Sequence, residues 1–343
     1  MFTSTEEEHL ATREAVGVYD VYAQGPIDVK GPGAAAVLST VAARDVERRL
    51  DVDGKVLYTS LCNEDGGTID DLTVYRLAAE HFWVIATPSR AGVVQSWLER
   101  HAARNAAYVT NTIPGTAYLS IQGPRSRELL AQLTDADLSS EALPYFRFVQ
   151  ADVLEVPMVV SRTGYSGELG YELYYPRDYA EGVWDAVLEA ARPLGGVPAG
   201  LGALRSVRIE KRYPLYGLDL DETTTPLEAG LAWAVDLDRE FVGGEALRRQ
   251  RDEGVSRSLV GLAFADLEPT PKPGDEVRVD GARVGAVTSA DKGYALGRAL
   301  ALAYVAPEAA RDGTTVEVSG DATWTATVAL EPFYDPRGER VRA

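Results

Sequence analysis

Residues 61–75 read Leu-Cys-Asn-Glu-Asp-Gly-Gly-Thr-Ile-Asp-Asp-Leu-Thr-Val-Tyr, and the rest of the chain is organised around this stretch. Its first part, residues 63–67, predicts a tight turn, because two adjacent glycines can take the positive φ angles that a hairpin loop requires. The β-branched and aromatic residues over 69–75 predict a strand. Side chains alternate along a strand, so Asp70 and Asp71 must point to opposite faces. The inward carboxylate is a candidate general base, and the alternative is an aspartate that caps the turn.

The segments on either side of this turn predict a hairpin of strands over 55–62 and 68–76. Before it, we expect a helix over 5–16 and one long strand over 18–29. A strand, a Gly-Pro turn and a helix follow one another near residue 31 and again near residue 123. This recurrence predicts an internal structural repeat.

A second glycine-rich segment, residues 161–173, reads Ser-Arg-Thr-Gly-Tyr-Ser-Gly-Glu-Leu-Gly-Tyr-Glu-Leu. Its glycines indicate a backbone that another group approaches closely. Tyr165 can stack on a flat ligand, and Glu172 offers two acceptors to an aminopyrimidine edge with two adjacent donors. A decorated hairpin without a ligand is an equally open interpretation.

Composition limits the classes of partner. The apolar content of 45% and the charged content of 25% are typical of a soluble globular chain. The net charge of −18 argues against nucleic acid and against an anionic membrane as partners. The single cysteine, Cys62, excludes an internal disulfide, and the scattered His9, His81 and His101 predict no metal site. The acidic first residues and the lack of a long apolar run lead us to expect a cytoplasmic protein.

The chain divides by pattern into two parts. Residues 1–240 are predicted to form two α+β subdomains, the second beginning at about residue 110. Short strands separated by turn residues fill residues 241–343 and predict a small β-barrel domain.

Several motifs together resemble the aminomethyltransferase family, whose namesake is the T-protein of the glycine cleavage system. They occur in the family's order at residues 63–72, 162–168, 215–226, 241–247 and 332–336. The resemblance implies a three-lobed ring of α+β subdomains around a central channel that binds tetrahydrofolate, with the barrel at the C-terminal end.

The resemblance also implies roles for individual residues. Asp71 matches the family's catalytic carboxylate, which lies near the reactive nitrogen of the folate. Tyr165 and Glu172 match residues that contact the folate, and Tyr58 and Tyr75 match tyrosines of the channel. A carboxylate at this place can position or deprotonate the nitrogen that accepts a one-carbon unit.

This sequence departs from the T-protein pattern near the donor side. Tyr22-Ala-Gln24 replaces a Ser-His-Met segment, so Tyr22 and Gln24 are predicted to contact the donor substrate. Leu204 occupies the position of a folate-binding arginine, and we expect the adjacent Arg205 to replace it. Residues 203–211 and 226–231 are more similar to the folate domains of dimethylglycine- and sarcosine-oxidising enzymes.

These departures predict a tetrahydrofolate-dependent transferase that takes a methyl, methylene or aminomethyl carbon from a small donor, as a demethylase does. One alternative is the glycine cleavage T-protein itself, acting on an aminomethylated lipoyl carrier protein. The net charge of −18 is expected to disfavour an acidic carrier. An alternative of another class is a folate-binding protein without transferase activity, which the intact Asp70–Asp71 pair disfavours.

Overall fold

Helices and strands alternate up to residue 254, and strands predominate after it. The computed structural model describes residues 2–20, 24–102 and 105–343. The α-helices are α1 (Thr5–Glu14), α2 (Ala34–Val41), α3 (Val46–Arg49), α4 (Ala91–Ala102), α5 (Ser126–Leu130), α6 (Ala180–Ala191), α7 (Leu201–Glu210) and α8 (Gly244–Glu253). The strands before residue 254 are β1 (Gly17–Tyr19), β2 (Pro26–Lys30), β3 (Val56–Cys62), β4 (Thr68–Ala78), β5 (His81–Ile85), β6 (Tyr108–Asn111), β7 (Thr116–Gln122), β8 (Phe148–Val153), β9 (Val156–Ser161), β10 (Gly170–Pro176) and β11 (Val197–Ala199). The later strands are β12 (Ser258–Ala263), β13 (Glu276–Val279), β14 (Ala282–Gly293), β15 (Arg298–Val305), β16 (Thr315–Ser319) and β17 (Thr323–Ala329). The predicted α+β class is confirmed.

The first sheet has the strand order β3-β4-β5-β2-β6 and is antiparallel throughout. Helices α2 and α4 cover one face and share a buried apolar core with it. The β3–β4 hairpin forms as predicted: the side chain of Asn63 accepts hydrogen bonds from the backbone N–H groups of Asp65 and Gly67, at 3.1 and 2.8 Å. Gly66 has a φ of +84°. The turn requires this angle, and residues with a Cβ atom rarely adopt it.

The second sheet has the order β11-β1-β7-β10-β9-β8 and packs against α5 and α6. The prediction of one strand over 18–29 is therefore wrong. Instead, β1 belongs to the second sheet and β2 to the first, so the chain crosses between sheets before Pro26. Gly25-Pro26 at the start of β2 is a local signal of this break, since Gly-Pro pairs typically mark turns, and the alternating pattern over 18–29 outweighed it.

The predicted recurrence has a structural counterpart. Strand β2 leads through Gly31 into α2, and β7 leads through Gly123 into α5. These two glycines have φ angles of +118° and +134°, and a Cβ at either would lie 2.4 Å from a backbone carbonyl oxygen. Both turns therefore need glycine, because their backbone has a positive φ and because a Cβ atom would clash with a backbone oxygen.

The two sheets pack against each other at an apolar junction to which both contribute side chains. Its members are Val56, Tyr75 and Ile85 from the first sheet and Tyr118, Phe148, Val159 and Tyr174 from the second. Backbone hydrogen bonds also link them, since Val56 N–H donates to Phe146 and Phe148 N–H donates to Gly54. The face of β3 and β4 is thus brought beside β10.

The third lobe is the closed barrel β12-β15-β14-β13-β16-β17, which confirms the predicted C-terminal barrel. Its strands begin at Ser258, and α8 lies between them and residue 241. The boundary near residue 241, and the division of the first part near residue 110, stay predictions. No helix in the described ranges is long and apolar enough to cross a membrane.

Candidate active site

Asp71 faces a cleft that lies beside the sheet junction. The β3–β4 register places Ser60 opposite Asp71 and Tyr58 opposite Thr73, so the side chains of Tyr58 and Asp71 share one face. The Tyr58 hydroxyl donates a hydrogen bond of 2.9 Å to Oδ2 of Asp71. The ring of Tyr58 in turn stacks on Trp233, with centroids 5.4 Å apart and 17° between the planes.

Asp70 points to the opposite face, into the core of the first sheet, as strand alternation predicts. Its side chain is fully buried, and Oδ2 accepts a hydrogen bond of 2.8 Å from the N–H of Thr87. Its Oδ1 has no hydrogen-bond partner among the described residues. The more deeply buried carboxyl of the pair is therefore Asp70, whereas Asp71 is half-buried and faces the cleft.

Burial raises the pKa of both aspartates. For Asp71, the low polarity of its surroundings is the main cause, the Tyr58 hydroxyl opposes it, and the negative charge of Asp219 adds to it. For Asp70, burial is again the main cause, the charge of Asp71 adds to it, and the Thr87 N–H opposes it. A carboxylate in such surroundings is a stronger base than a carboxylate in water, which suits general-base catalysis.

Glu172 lies on β10 and forms a second end of the candidate site. The Tyr118 hydroxyl donates to Oε1 at 2.8 Å, and the Thr163 hydroxyl bonds Oε2 at 2.5 Å. The hydroxyl of the predicted channel residue Tyr75 lies 3.2 Å from that of Thr163, so Tyr75 reaches this end. Burial raises the pKa of Glu172, and the two hydroxyl donors oppose the rise. A carboxylate oxygen accepts more than one hydrogen bond, so Glu172 retains acceptor capacity for a ligand.

Tyr165 packs against the buried residues of α7. Its ring stacks on Tyr213 with centroids 5.8 Å apart, and its hydroxyl donates to the carbonyl oxygen of Pro214 at 2.5 Å. Burial is the main cause that raises the pKa of Tyr58, and the charges of Asp71 and Tyr165 add to the rise. The tyrosines of the site therefore act as neutral donors and stacking surfaces.

The structure does not bring Arg205 to this site, contrary to the sequence-based expectation. Arg205 is exposed on α7, while Leu204 and Arg208 are buried one turn apart on the opposite face. Each residue turns a helix by about 100°, so neighbours in sequence cannot replace each other in space. Arg208 instead forms a buried ion pair of 2.7 Å with Asp219.

The two predicted donor contacts have separate outcomes. Tyr22 lies outside the described residues. Gln24 is half-buried in the segment that leads into β2. A role for either in donor binding stays a prediction.

Sequence reasoning missed Asp219 and Trp233. Asp219 and Trp233 lie in the long irregular stretch after α7, whose length alone signalled function. The carboxylate of Asp219 accepts hydrogen bonds from Arg208 and from the N–H of Leu215. It also accepts hydrogen bonds from the hydroxyls of Thr288 and Ser289 on β14 of the barrel.

A pocket of about 300 Å³ lies beside Tyr58 and Trp233. The lining residues are Arg44, Arg49, Lys55, Val56, Leu57, Tyr58, Tyr145, Phe146, Arg147 and Trp233.

Family models match nearly the whole chain. The GCVT N-terminal domain matches residues 1–239, and the glycine cleavage T-protein C-terminal barrel domain matches residues 257–335. The two matches correspond to the two-sheet part and the barrel described above. They define the class of the protein as an enzyme of the tetrahydrofolate-dependent transferases.

Individual relatives narrow this class. The chain is 40% identical to an aminomethyltransferase of Moorella thermoacetica, over 97% of this chain and 90% of that one. It is 39% identical to an aminomethyltransferase of Halothermothrix orenii, over 92% and 87% of the two chains. The crystal structure of the glycine cleavage system aminomethyltransferase T from Bartonella henselae superposes with a TM-score of 0.88 at 29% identity, covering 97% of this chain and 90% of that one. The chain belongs to the aminomethyltransferase family.

Proposed function

We propose that this enzyme is the aminomethyltransferase of a glycine cleavage system, which moves the methylene carbon of an aminomethylated lipoyl carrier to tetrahydrofolate and releases ammonia and the dihydrolipoyl carrier. The near full-length similarity to proteins named aminomethyltransferase supports this alternative over the small-donor demethylase that the sequence pattern favoured. The net charge of −18 does not exclude docking of an acidic carrier protein, because docking depends on the local charge of the surface. The pocket beside Tyr58 is lined by the basic side chains of Arg44, Arg49, Lys55 and Arg147.

The described residues fit a folate. Glu172 has acceptor capacity at the closed end of the cleft, and Asp71 presents a carboxylate further out. Tyr165, Tyr58 and Trp233 supply aromatic faces for a flat ring system. Glu172 and Tyr165 would hold the pterin, and Asp71 would lie nearest the reacting nitrogen.

Asp71 carries the chemistry in this proposal. Tetrahydrofolate, when bound, supplies the nitrogen that accepts the carbon. The Asp71 carboxylate accepts and holds the proton of that nitrogen, because burial and the charge of Asp219 raise its basicity. The Tyr58 hydroxyl fixes the orientation of Asp71 at 2.9 Å, and the stacked Trp233 holds the Tyr58 ring. The single observation that carries the proposal is this Tyr58–Asp71 pair within a family match over the whole chain.

The test combines binding and turnover. Tetrahydrofolate should quench the tryptophan fluorescence and raise the melting temperature by mass action. The protein, supplied with aminomethyl-lipoyl carrier and tetrahydrofolate, should form methylene-tetrahydrofolate, measured by mass spectrometry. No binding at millimolar tetrahydrofolate would refute the folate site. Formation of methyl- or methylene-tetrahydrofolate from a free small donor, with none formed from the carrier, would restore the small-donor function.

A further inference from the structure

Two consecutive hydroxyl residues of the barrel contact the same carboxylate oxygen. Thr288 and Ser289 lie on β14, and neighbouring side chains of a regular strand point to opposite faces. The pairing of β14 with β15 is irregular here, since Val287 and Ser289, two residues apart, pair with adjacent residues of β15. Thr288 is therefore the extra residue of a β-bulge, which re-aims the side chains at this point. Both hydroxyls donate to Oδ1 of Asp219, at 2.5 and 2.7 Å.

Asp219 is held at three further points. Its Oδ2 accepts hydrogen bonds from Arg208, at 2.7 Å, and from the N–H of Leu215, at 2.9 Å. Its backbone carbonyl oxygen accepts a hydrogen bond of 3.0 Å from the hydroxyl of Tyr304 on β15. Asp219 is only 1% exposed, so water cannot readily replace a donor that is lost. The barrel thus fixes both the side chain and the main chain of this loop residue.

The residue after Asp219 connects this anchor to the catalytic pair. Leu220 is buried in an apolar cluster against which the ring of Tyr58 packs. The Tyr58 hydroxyl in turn donates its hydrogen bond of 2.9 Å to Asp71. Close-packed side chains transmit a displacement instead of absorbing it. A shift of the loop at Asp219 should therefore reach Asp71 through the Tyr58 ring.

We propose that Thr288 and Ser289 of the barrel are positioning residues for Asp71. They fix the loop at Asp219, and the apolar cluster of that loop then holds the ring of Tyr58. This inference rests on the proposed function, because Asp71 is the base of that reaction. A base must stay within hydrogen-bond reach of the proton that it accepts, and a displacement of about 1 Å can reduce a rate by roughly 10²-fold. The β-bulge of the barrel is thus part of the catalytic apparatus.

The experiment compares Thr288→Val, Ser289→Ala and the double variant with the unaltered protein. These substitutions remove donors to Asp219 and leave its buried ion pair with Arg208 in place. In the assay with aminomethyl-lipoyl carrier and tetrahydrofolate, kcat of the double variant should fall by roughly 10- to 100-fold. The dissociation constant of tetrahydrofolate should change by less than about threefold, because the substitutions affect the reaction and not the binding of the ligand. A loss of affinity with kcat unchanged would overturn the proposal.

The pH profile of kcat tests whether the effect passes through Tyr58. A looser Tyr58 hydrogen bond stabilises the charged form of Asp71 less, so the acid limb of the double variant should move to higher pH. The other carboxylates that interact with Asp71, those of Asp70 on β4 and Asp219 in the loop, are unaltered. In a Tyr58→Phe background this bond is already absent, so the barrel substitutions should move the limb no further. A further shift of equal size in that background would show that the two act independently and would overturn the proposal.

Conservative and distant substitutions control this test. Ser289→Thr and Thr288→Ser keep a hydroxyl at each position and should retain most of kcat. Ser319→Ala removes a hydroxyl of β16 that lies 3.4 Å from the hydroxyl of Thr323, and it should leave kcat and the acid limb unchanged. If the double variant is unfolded at the assay temperature by circular dichroism, the two single variants decide.

Two failures are distinguishable. A normal kcat in folded variants that lack the hydroxyls would overturn the positioning role and leave the proposed function intact. An unaltered protein that neither binds tetrahydrofolate nor turns over the carrier would overturn the proposed function and this inference together.

Discussion

Two carboxylates belong to the candidate site, and their surroundings differ. Glu172 receives one hydroxyl hydrogen bond on each oxygen and lies on β10, inside a six-stranded sheet. Asp71 receives one phenol hydrogen bond and lies on β4, next to the buried carboxyl of Asp70 and within range of the charge of Asp219. Burial raises the pKa of both carboxyl groups, but only at Asp71 does further negative charge add to the rise.

This difference assigns recognition of the ligand to Glu172 and the reaction itself to Asp71. A carboxylate held by two donors keeps its charge and direction, which suits a fixed acceptor for a ligand. A carboxylate with one donor and negative neighbours is poised to take a proton, which suits a base. If this contrast is correct, substitutions at the Asp71 end change rate and pH dependence, and substitutions at the Glu172 end change affinity.

The largest expected effect is at Asp71. Asp71→Asn preserves the shape of the side chain and removes its basicity, so turnover should fall by roughly 10²- to 10⁴-fold. Tetrahydrofolate affinity and the melting temperature should change little. The matched control is Asp70→Asn, one residue away on the other face, which should reduce turnover far less. A greater loss in Asp70→Asn would reverse the roles of the two residues.

The next effect is at Glu172. Glu172→Ala removes the acceptor at the closed end, so tetrahydrofolate binding should weaken by roughly 1–3 kcal/mol. Fluorescence titration measures the dissociation constant, and turnover at saturating folate should stay near that of the unaltered protein. Tyr118→Phe, which removes one of the two donors to Glu172, should weaken binding by less. An unchanged affinity in Glu172→Ala would leave this segment as a hairpin without a ligand.

The pH dependence of turnover tests the Tyr58 hydrogen bond. That bond stabilises the charged form of Asp71 and holds its pKa below the value that burial alone would give. In Tyr58→Phe the pKa should rise, so the acid limb of the kcat profile should move to higher pH, because the base is protonated over a wider range. Tyr118→Phe should leave this limb in place. A shift to lower pH in Tyr58→Phe would contradict the assignment of Asp71 as the base.

The smallest expected effect is on stability. The folded-state pKa of Asp70 is raised above its unfolded value, so ionisation of this carboxyl opposes folding as the pH rises through the folded-state pKa. Asp70→Asn removes that ionisation and keeps an oxygen for the Thr87 N–H. Its melting temperature should exceed that of the unaltered protein at pH 8.5 by roughly 2–4 °C, with little difference at pH 4. A lower melting temperature at pH 8.5 would show that the charged form of Asp70 stabilises the fold.

The elements that were predicted well from the sequence are those that a short stretch of residues determines. The glycine pair before Asp71 specified the hairpin, and short alternating strands specified the barrel. The cleft depends on contacts that no local pattern encodes, such as the approach of Val56 to Phe146 across some 90 residues of chain. Helical periodicity places Arg208 one turn from Leu204, whereas Arg205 was chosen by adjacency. No local sequence pattern indicated that Trp233 belongs to the site.

The loop after α7 connects the three lobes, and this has an evolutionary consequence. Within it, the carboxylate of Asp219 binds Arg208 of α7, the backbone N–H of Leu215 and the hydroxyls of Thr288 and Ser289 on the barrel. That loop in turn accepts, at Thr224, two hydrogen bonds from Thr68, the first residue of the strand that carries Asp71. The barrel is therefore not a module that gene fusion could exchange freely. A chimaera with a barrel from a distant relative would inherit a loop without its anchor, so barrel and catalytic hairpin are expected to evolve together.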